Sequence, residues 1–154
     1  GAGLEGVVKV FGFVPRDQAL QRQRESQLLL LLLWNNPKEK GVYTGKVFEY
    51  LAAGRPIIAL GGPDESVVED LLNETQTGHY ISSLEDLEIV LSKYYSEYVR
   101  TGAIPRTKES AIMKYSHLEM AKKFADLFDK VQTGAPQDST PVTTRSDSGQ
   151  KFTQ

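Results

Sequence analysis

The feature that most constrains the fold of this chain is a run of six consecutive leucines at residues 28–33. The run is far too short to cross a bilayer, which requires about 20 apolar residues. Leucine is a good helix former, but the short length of the run and the Asn35-Asn36-Pro37 stop after it favour a strand. Because polar residues do not interrupt the run, we predict a strand that is buried on both faces of a parallel sheet.

Shorter apolar runs alternate with helical patterns along the rest of the chain. We predict strands at residues 7–14, 57–60 and 78–81, and helices at residues 18–27, 46–53, 67–72, 84–98 and 107–131. Asp17 and Thr44 are placed to cap the first two helices, and Asp64 or Ser66 the third, while Gly54 is placed to end the second. Strands that alternate with helices predict an α/β fold with a parallel sheet.

Two groups of residues that can carry chemistry are interpreted as structural. Tyr94, Tyr95 and Tyr98 share their helical spacing with leucines, so we expect them in the core rather than stacked on nucleic-acid bases. His79 adjoins a short predicted strand and His117 has polar neighbours on a helix, so a packing or surface role is expected for both.

Composition excludes several classes of function. The chain has 154 residues, about one domain's length, and a formal net charge of −2, which is a poor match to duplex nucleic acid. It contains no cysteine, so a disulfide scaffold, a thiolate nucleophile and a cysteine-based zinc site are excluded. Two histidines are too few for a histidine-rich metal centre. We therefore expect neither a metal nor a nucleic-acid partner.

The two ends of the chain differ in composition from its centre. Gly1-Ala2-Gly3 has no basic or apolar segment typical of a secretory signal, and we interpret it as a remnant of an expression tag. Residues 132–154 consist largely of Ser, Thr, Pro, Gln, Asp and Gly, a composition that predicts a disordered tail. The folded part is therefore expected within residues 1–131.

The loop before the second predicted helix carries the strongest functional pattern. The amides at a helix N-terminus attract phosphate, Gly41 and Gly45 allow the backbone to approach a ligand, and Lys46 adds a cation. Glu49 lies one turn further, where an ionised carboxylate can accept two hydrogen bonds from a sugar diol. A P-loop is excluded because Val47 stands where Ser or Thr is required, and the dinucleotide-binding glycine motif is absent.

Residues 45–59, Gly-Lys-Val-Phe-Glu-Tyr-Leu-Ala-Ala-Gly-Arg-Pro-Ile-Ile-Ala, resemble a motif in the donor-binding domain of GT-B fold glycosyltransferases similar to family 4. The resemblance extends to Val-Phe-Gly-Phe-Val at residues 10–14, to the leucine run, to the glycine pair at residues 61–62 and to Thr-Gly at residues 77–78. It covers residues 7–131. It implies a Rossmann-like parallel sheet flanked by helices, as in the C-terminal domain of a GT-B enzyme that is truncated at its N-terminal side.

The resemblance also implies a role for individual residues. Glu49 matches the second glutamate of the family's Glu-x7-Glu motif, which binds the ribose hydroxyls of the donor. The remaining residues implied to bind the donor nucleotide are Tyr43, Thr44 and Gly45 through their amides, Lys46 through its charge, and Val14 and Arg16 in a loop against the base. The first glutamate of the motif is replaced by Gly41, and the nearest carboxylate, Glu39, stands two residues earlier, which leaves the transferred sugar open.

The activity that the resemblance implies is transfer of a sugar from a nucleotide diphosphate sugar to an acceptor hydroxyl, in polysaccharide or glycan biosynthesis. The nucleotide sugar is then a substrate, and no separate cofactor or metal is expected. Acceptor recognition and any general base belong to an N-terminal domain that this chain lacks, so no catalytic residue is assigned. A cytoplasmic protein is implied, and peripheral association of the full enzyme with the inner face of the membrane stays open. Two alternatives are a nucleotide-sugar epimerase of the GT-B fold and a non-enzymatic nucleotide- or protein-binding module.

The strand order of such domains predicts an open edge in this chain. In the order 3-2-1-4-5-6 the absent first strands lie between the predicted strand at residues 7–14 and the leucine run. Neither strand then has its neighbour, and exposed sheet edges recruit partners. We therefore predict that the strand at residues 7–14 pairs non-natively or between chains, which gives a dimer or a swapped assembly through the exposed edge of the sheet.

Overall fold

The computed structural model describes residues 3, 4 and 6–133. The described residues divide into two units, one that ends at Ser116 and one that begins at His117. The first unit contains helices α1 (Arg16–Glu25), α2 (Gly45–Ala53), α3 (Val67–Thr75), α4 (Leu84–Thr101) and α5 (Glu109–Ile112) and strands β1 (Leu29–Leu32), β2 (Ile57–Leu60) and β3 (Gly78–Ile81). Short 3-10 helices lie at Pro37–Glu39 and Met113–Tyr115, and the second unit contributes helix α6 (His117–Gln132).

The three strands form one parallel sheet in the order β1-β2-β3. Leu29 pairs with Ile57, which in turn pairs with Gly78, so the three strands begin level with one another. The predictions of an α/β fold, of a parallel sheet and of strands at residues 57–60 and 78–81 are confirmed. This arrangement of a parallel sheet flanked by helices is compatible with a Rossmann-like fold.

Helix α2 connects the sheet to the candidate site. Its fully buried Val47 and Leu51 pack against Leu71 and Leu72 of α3 and against β1 and β2, on one face of the sheet. The helix ends where predicted, at Gly54, which adopts the left-handed conformation with φ of +67°. A residue with a side chain rarely adopts this conformation, so glycine fixes the end of α2.

The leucine run is buried on one face only, and the prediction of burial on both faces is wrong. Leu29 and Leu31 are buried, whereas Leu30 is 54% and Leu32 is 70% exposed. Leu30 pairs with Ile58, which belongs to a second core cluster with Ile81 of β3 and Val90 of α4. Helix α4 contacts β3 at the far end of the sheet, so the side chains of β1 on this face remain uncovered.

The strand predicted at residues 7–14 does not form. Val10 and Phe13 are almost completely exposed, Gly12 has a φ of +62°, and the guanidinium of Arg22 lies 3.8 Å from the ring centre of Phe11. The physical reason is the lack of a partner: among the described residues β1 pairs only with β2, and no strand lies beside residues 7–14. A β-prone sequence without a neighbouring strand has no ladder of hydrogen bonds to join.

The predicted helix caps are confirmed only in part. Helix α1 begins at Arg16 with Pro15 at its N-cap, so Asp17 lies in the first turn and does not cap the helix. Ser66, one of the two predicted caps of α3, accepts a hydrogen bond from the amide of Val68 at 3.2 Å. Thr44 occupies the predicted N-cap position of α2, but its side chain makes no capping hydrogen bond.

The last predicted helix, at residues 107–131, is interrupted. Helix α5 is followed by a 3-10 turn and by Ser116 in an extended conformation, and α6 then begins at His117. Described by itself, α6 is amphipathic, with apolar residues recurring at Phe124, Leu127 and Val131. It runs to Gln132, and residues 134–154 of the predicted tail lie outside the described residues.

The tyrosines of α4 only partly follow the prediction. Tyr94 packs against the second core cluster, whereas Tyr95 is 69% and Tyr98 is 44% exposed, so the expected core position of these two is wrong. The helix has more apolar positions than the three-stranded sheet can cover. In the described part of the chain, no helix combines the length and the apolar character needed to span a bilayer.

Candidate functional site

The candidate site lies where α1 and α2 contact each other. The carboxylate of Glu49 accepts a hydrogen bond from Lys46 Nζ at 2.9 Å and from Gln23 Nε2 at 3.5 Å, both to its Oε2. Its Oε1 lies 3.8 Å from Arg16 Nη2. Three side chains from two helices therefore surround one carboxylate, and three of the seven predicted site residues, Arg16, Lys46 and Glu49, are brought together.

These partners keep Glu49 ionised. The hydrogen bond from Lys46 is the largest cause that lowers the pKa of Glu49 below its ordinary value of 4.5, and partial burial opposes it. The hydrogen bond from Gln23 and the charges of Lys46 and Arg16 lower the pKa further. At neutral pH the group is a pure hydrogen-bond acceptor, the property that recognition of a diol requires.

The N-terminus of α2 presents an open surface. The amide of Val47 is bonded to the carbonyl of Thr44 at 3.1 Å, and the amides of Gly45 and Lys46 precede it at the positively polarised end of the helix. A Cβ atom built on Gly41 or Gly45 would meet no atom within 4 Å, so the space beside both glycines is free. A ligand can approach the backbone here without moving a side chain.

Two buried polar atoms at the site have no hydrogen-bond partner. They are Oε1 of Gln23 and Oγ1 of Thr44, and no further side-chain atom in the described residues shares this condition. An unsatisfied buried polar atom costs about 1–3 kcal/mol and calls for an explanation in a folded chain. One of these residues contacts Glu49 and the other occupies the N-cap position of α2, so both atoms adjoin the candidate site.

The other predicted site residues lie around this centre. Tyr43 is partly exposed, and its ring centre lies 5.6 Å from that of Phe48, so its side chain packs along α2. Val14 is half-buried and precedes Pro15, the N-cap of α1, which places it at the same end of α1 as Arg16.

Neither Glu39 nor Gly41 places a carboxylate beside Glu49. Glu39 lies in the 3-10 helix Pro37–Glu39, where its Oε1 accepts a hydrogen bond from Asn36 Nδ2 at 3.0 Å. Its carboxylate is therefore engaged within its own loop and does not contact Glu49 in this structure. Gly41 presents no side chain at the corresponding position.

Gln23 is a residue of the site that the sequence pattern does not predict. It lies seven residues after Arg16, so both residues project from the same face of α1 after two helical turns. This spacing is visible in the sequence, but nothing in the sequence shows that this face of α1 packs against α2. The contact between the two helices gives Gln23 its role.

The opposite end of α2 is built differently. A cavity of about 490 Å³ lies there, lined by residues that include Ala53, Gly54 and Arg106, and it is separate from Glu49. Arg106 donates to the carbonyl of Ala53 at 3.2 Å and to that of Arg24 at 3.1 Å, while Arg55 donates to the carbonyl of Arg24 at 2.9 Å. These arginines satisfy backbone carbonyls at the ends of α1 and α2.

Neither His79 nor a group of acidic residues forms a second candidate site in the described part of the chain. The ring of His79 lies edge-on to Tyr94 at 5.8 Å, and burial, followed by the charge of Lys93, lowers the pKa of His79. Within the part of the chain that the structure describes, no three His, Cys, Asp or Glu residues are grouped so that they could hold a metal ion.

A comparison of the chain with known protein families, with curated proteins and with solved structures finds no match.

Proposed function

We propose that this chain is the donor-binding part of a GT-B glycosyltransferase similar to family 4, and that the α1–α2 site binds a nucleotide diphosphate sugar. The observation that carries the proposal is the ionised Glu49 carboxylate beside the open N-terminus of α2. A carboxylate acceptor and a phosphate-attracting helix end, one turn apart, match the two polar parts of a nucleoside diphosphate. The resemblance of residues 45–59 to the donor-domain motif supports the same ligand.

Each residue then has a role that follows from its place. Glu49 accepts hydrogen bonds from the ribose hydroxyls, and the amides of Tyr43, Thr44 and Gly45 face the diphosphate. Lys46 and Arg16 add positive charge, and Val14 lies at the end of α1 where a base would pack. Gly41 leaves the sugar-contacting position of the motif without a carboxylate.

The reaction proposed for the full enzyme is a substitution at the anomeric carbon of the sugar. The bond from this carbon to the diphosphate oxygen breaks and the diphosphate leaves with the electron pair, while a new bond forms to the acceptor oxygen. The acceptor proton passes to a base, which we place outside this chain together with the acceptor-binding domain. Amides and cations already directed at the diphosphate stabilise the charge that develops on it.

We propose a cytoplasmic location for the chain, and peripheral association with the membrane only for the full enzyme.

A second copy of this chain is a further proposed partner, with its residues 7–14 pairing along the open edge of β1. The exposed Leu30 and Leu32 of β1 and the unpaired, β-prone residues 7–14 are the features that favour it. Light scattering should give the mass of a dimer, and a monomer at all concentrations contradicts this partner.

Isothermal titration with UDP, GDP and ADP tests the proposed ligand. At least one of the three should bind, and Glu49→Gln should weaken this binding at least tenfold, because a hydrogen bond to a charged group contributes about 1.5–3 kcal/mol. Glu88→Gln, an exposed residue of α4, is the matched control and should bind as the wild type does. Affinities unchanged by Glu49→Gln would reject the ribose-binding role.

A further inference from the structure

The carboxylate of Glu49 is already occupied in the ligand-free chain. Its Oε2 accepts hydrogen bonds from Lys46 and Gln23, and its Oε1 faces Arg16. A ribose diol that binds Glu49 must share these oxygens with the two cations or displace them. The contacts that make Glu49 a good acceptor therefore also compete with the ligand.

The three side chains that contact the carboxylate of Glu49 differ in their exposure to solvent. The side chain of Arg16 is 75% exposed and that of Lys46 is 49% exposed, whereas the hydrogen bond from Gln23 is partly buried. Exposed ion pairs contribute little free energy, and long flexible side chains reorient at low cost. Arg16 and Lys46 are therefore exchangeable partners of Glu49, whereas Gln23 adds a long contact of 3.5 Å that is partly buried.

We propose that Arg16 and Lys46 form a counter-ion lock on Glu49, which makes the site selective for a nucleoside diphosphate over the corresponding nucleoside. This inference rests on the proposed function. A nucleoside that binds Glu49 breaks the ion pairs and offers the cations no new partner. A nucleoside diphosphate breaks the same ion pairs and supplies an anion, so both cations move from the carboxylate to the phosphates.

The lock makes opposite predictions for the two ligands. In Arg16→Gln the carboxylate has one competitor fewer, so the affinity for the nucleoside should rise about threefold, the size expected of an exposed ion pair. The nucleoside diphosphate gains the same relief but loses a charge-assisted contact between Arg16 and phosphate, which contributes about tenfold, so its affinity should fall about threefold. The ratio of the two affinities should therefore fall by about an order of magnitude.

The experiment is a titration of the full chain with UDP and uridine, or with whichever of the GDP–guanosine and ADP–adenosine pairs binds best. The variants are Arg16→Gln, Lys46→Gln and, as a control on the helix of Arg16, Arg24→Gln, whose exposed side chain carries the same charge and is not among the side chains that the structure shows in contact with Glu49, namely Arg16, Gln23 and Lys46. The two lock variants should shift the two affinities in opposite directions, and the control should leave their ratio unchanged. Circular dichroism verifies that each variant is folded.

The outcomes separate this inference from the function on which it rests. If the wild type binds a nucleoside diphosphate but Arg16→Gln weakens both ligands equally, or leaves nucleoside affinity at the wild-type value, the lock is overturned and the proposed function stands. If the wild type binds no nucleoside diphosphate, both are overturned.

Discussion

Cationic side chains have different roles at the two ends of helix α2. At its N-terminus Arg16 and Lys46 pair with the carboxylate of Glu49 at the surface. At its C-terminus Arg106 and Arg55 donate to backbone carbonyls that end α1 and α2. A cation that satisfies a helix end is part of the fold, whereas a cation that pairs with an exposed carboxylate can exchange it for a ligand.

The largest expected difference between the two ends is in stability. Arg106→Gln removes the hydrogen bonds to the carbonyls of Ala53 and Arg24, together with a favourable charge at two helix C-termini, and should lower the free energy of unfolding by about 1.5 kcal/mol. Arg16→Gln should change it by less than about 0.5 kcal/mol, because its ion pair is exposed. Urea unfolding followed by circular dichroism measures both values.

Arg24→Gln is the control for this comparison, since only the backbone carbonyl of Arg24 receives the arginines and the substitution retains it. Its free energy of unfolding should fall by only about 0.3 kcal/mol, since the substitution removes an exposed charge from the last turn of α1 and no hydrogen bond. If Arg16→Gln proves as destabilising as Arg106→Gln, the distinction between an exchangeable and a structural cation fails.

A second, smaller difference is expected between two helix N-caps. Ser66 accepts a hydrogen bond from the amide of Val68, so Ser66→Ala should cost about 1 kcal/mol of unfolding free energy. Thr44 makes no such bond and its buried hydroxyl has no partner, so Thr44→Val should leave stability unchanged or raise it by about 1 kcal/mol. Urea unfolding of the two variants checks both values.

The nucleotide titration gives a second comparison of these caps. Thr44→Val retains the amide that is proposed to face the diphosphate, and Ser66 lies at the start of a different helix, so both variants should bind the nucleoside diphosphate as the wild type does. A loss of stability in Thr44→Val as large as that in Ser66→Ala would mean that the side chain of Thr44 serves the fold.

The parts of this architecture that follow from local patterns are the parts that the sequence predicts well. Gly54 ends α2, Ser66 caps α3, and β2 and β3 have the predicted bounds, because each depends on a few adjacent residues. Residues 7–14 have the composition of a strand, yet strand formation also requires a neighbour, which local patterns do not describe.

The candidate site divides in the same way. Glu49, Lys46 and Arg16 were predicted from the resemblance and lie together in the structure. Gln23 was missed because its role depends on the packing of α1 against α2, a contact between residues 26 positions apart in the chain. The exposed face of β1 was missed for the related reason that burial depends on which helices cover the sheet.

The smallest expected effect concerns the pH dependence of stability, and it tests whether the N-terminal cations engage Glu49 in solution. The pKa of Glu49 in the folded chain lies below its ordinary value of 4.5, chiefly through the hydrogen bond from Lys46. Its contribution to stability is therefore complete above about pH 4.5 and is lost as the pH falls through the lower pKa of the folded chain. Urea unfolding of the wild type and of Glu49→Gln should differ by about 0.5 kcal/mol at neutral pH, and the two curves should converge in acid. The difference should shrink in 1 M NaCl, since salt screens exposed pairs. A difference that persists unchanged in acid would show that the cations do not act on the ionised carboxylate, and the contrast between the two ends of α2 would then rest on Arg106 and Arg55 alone.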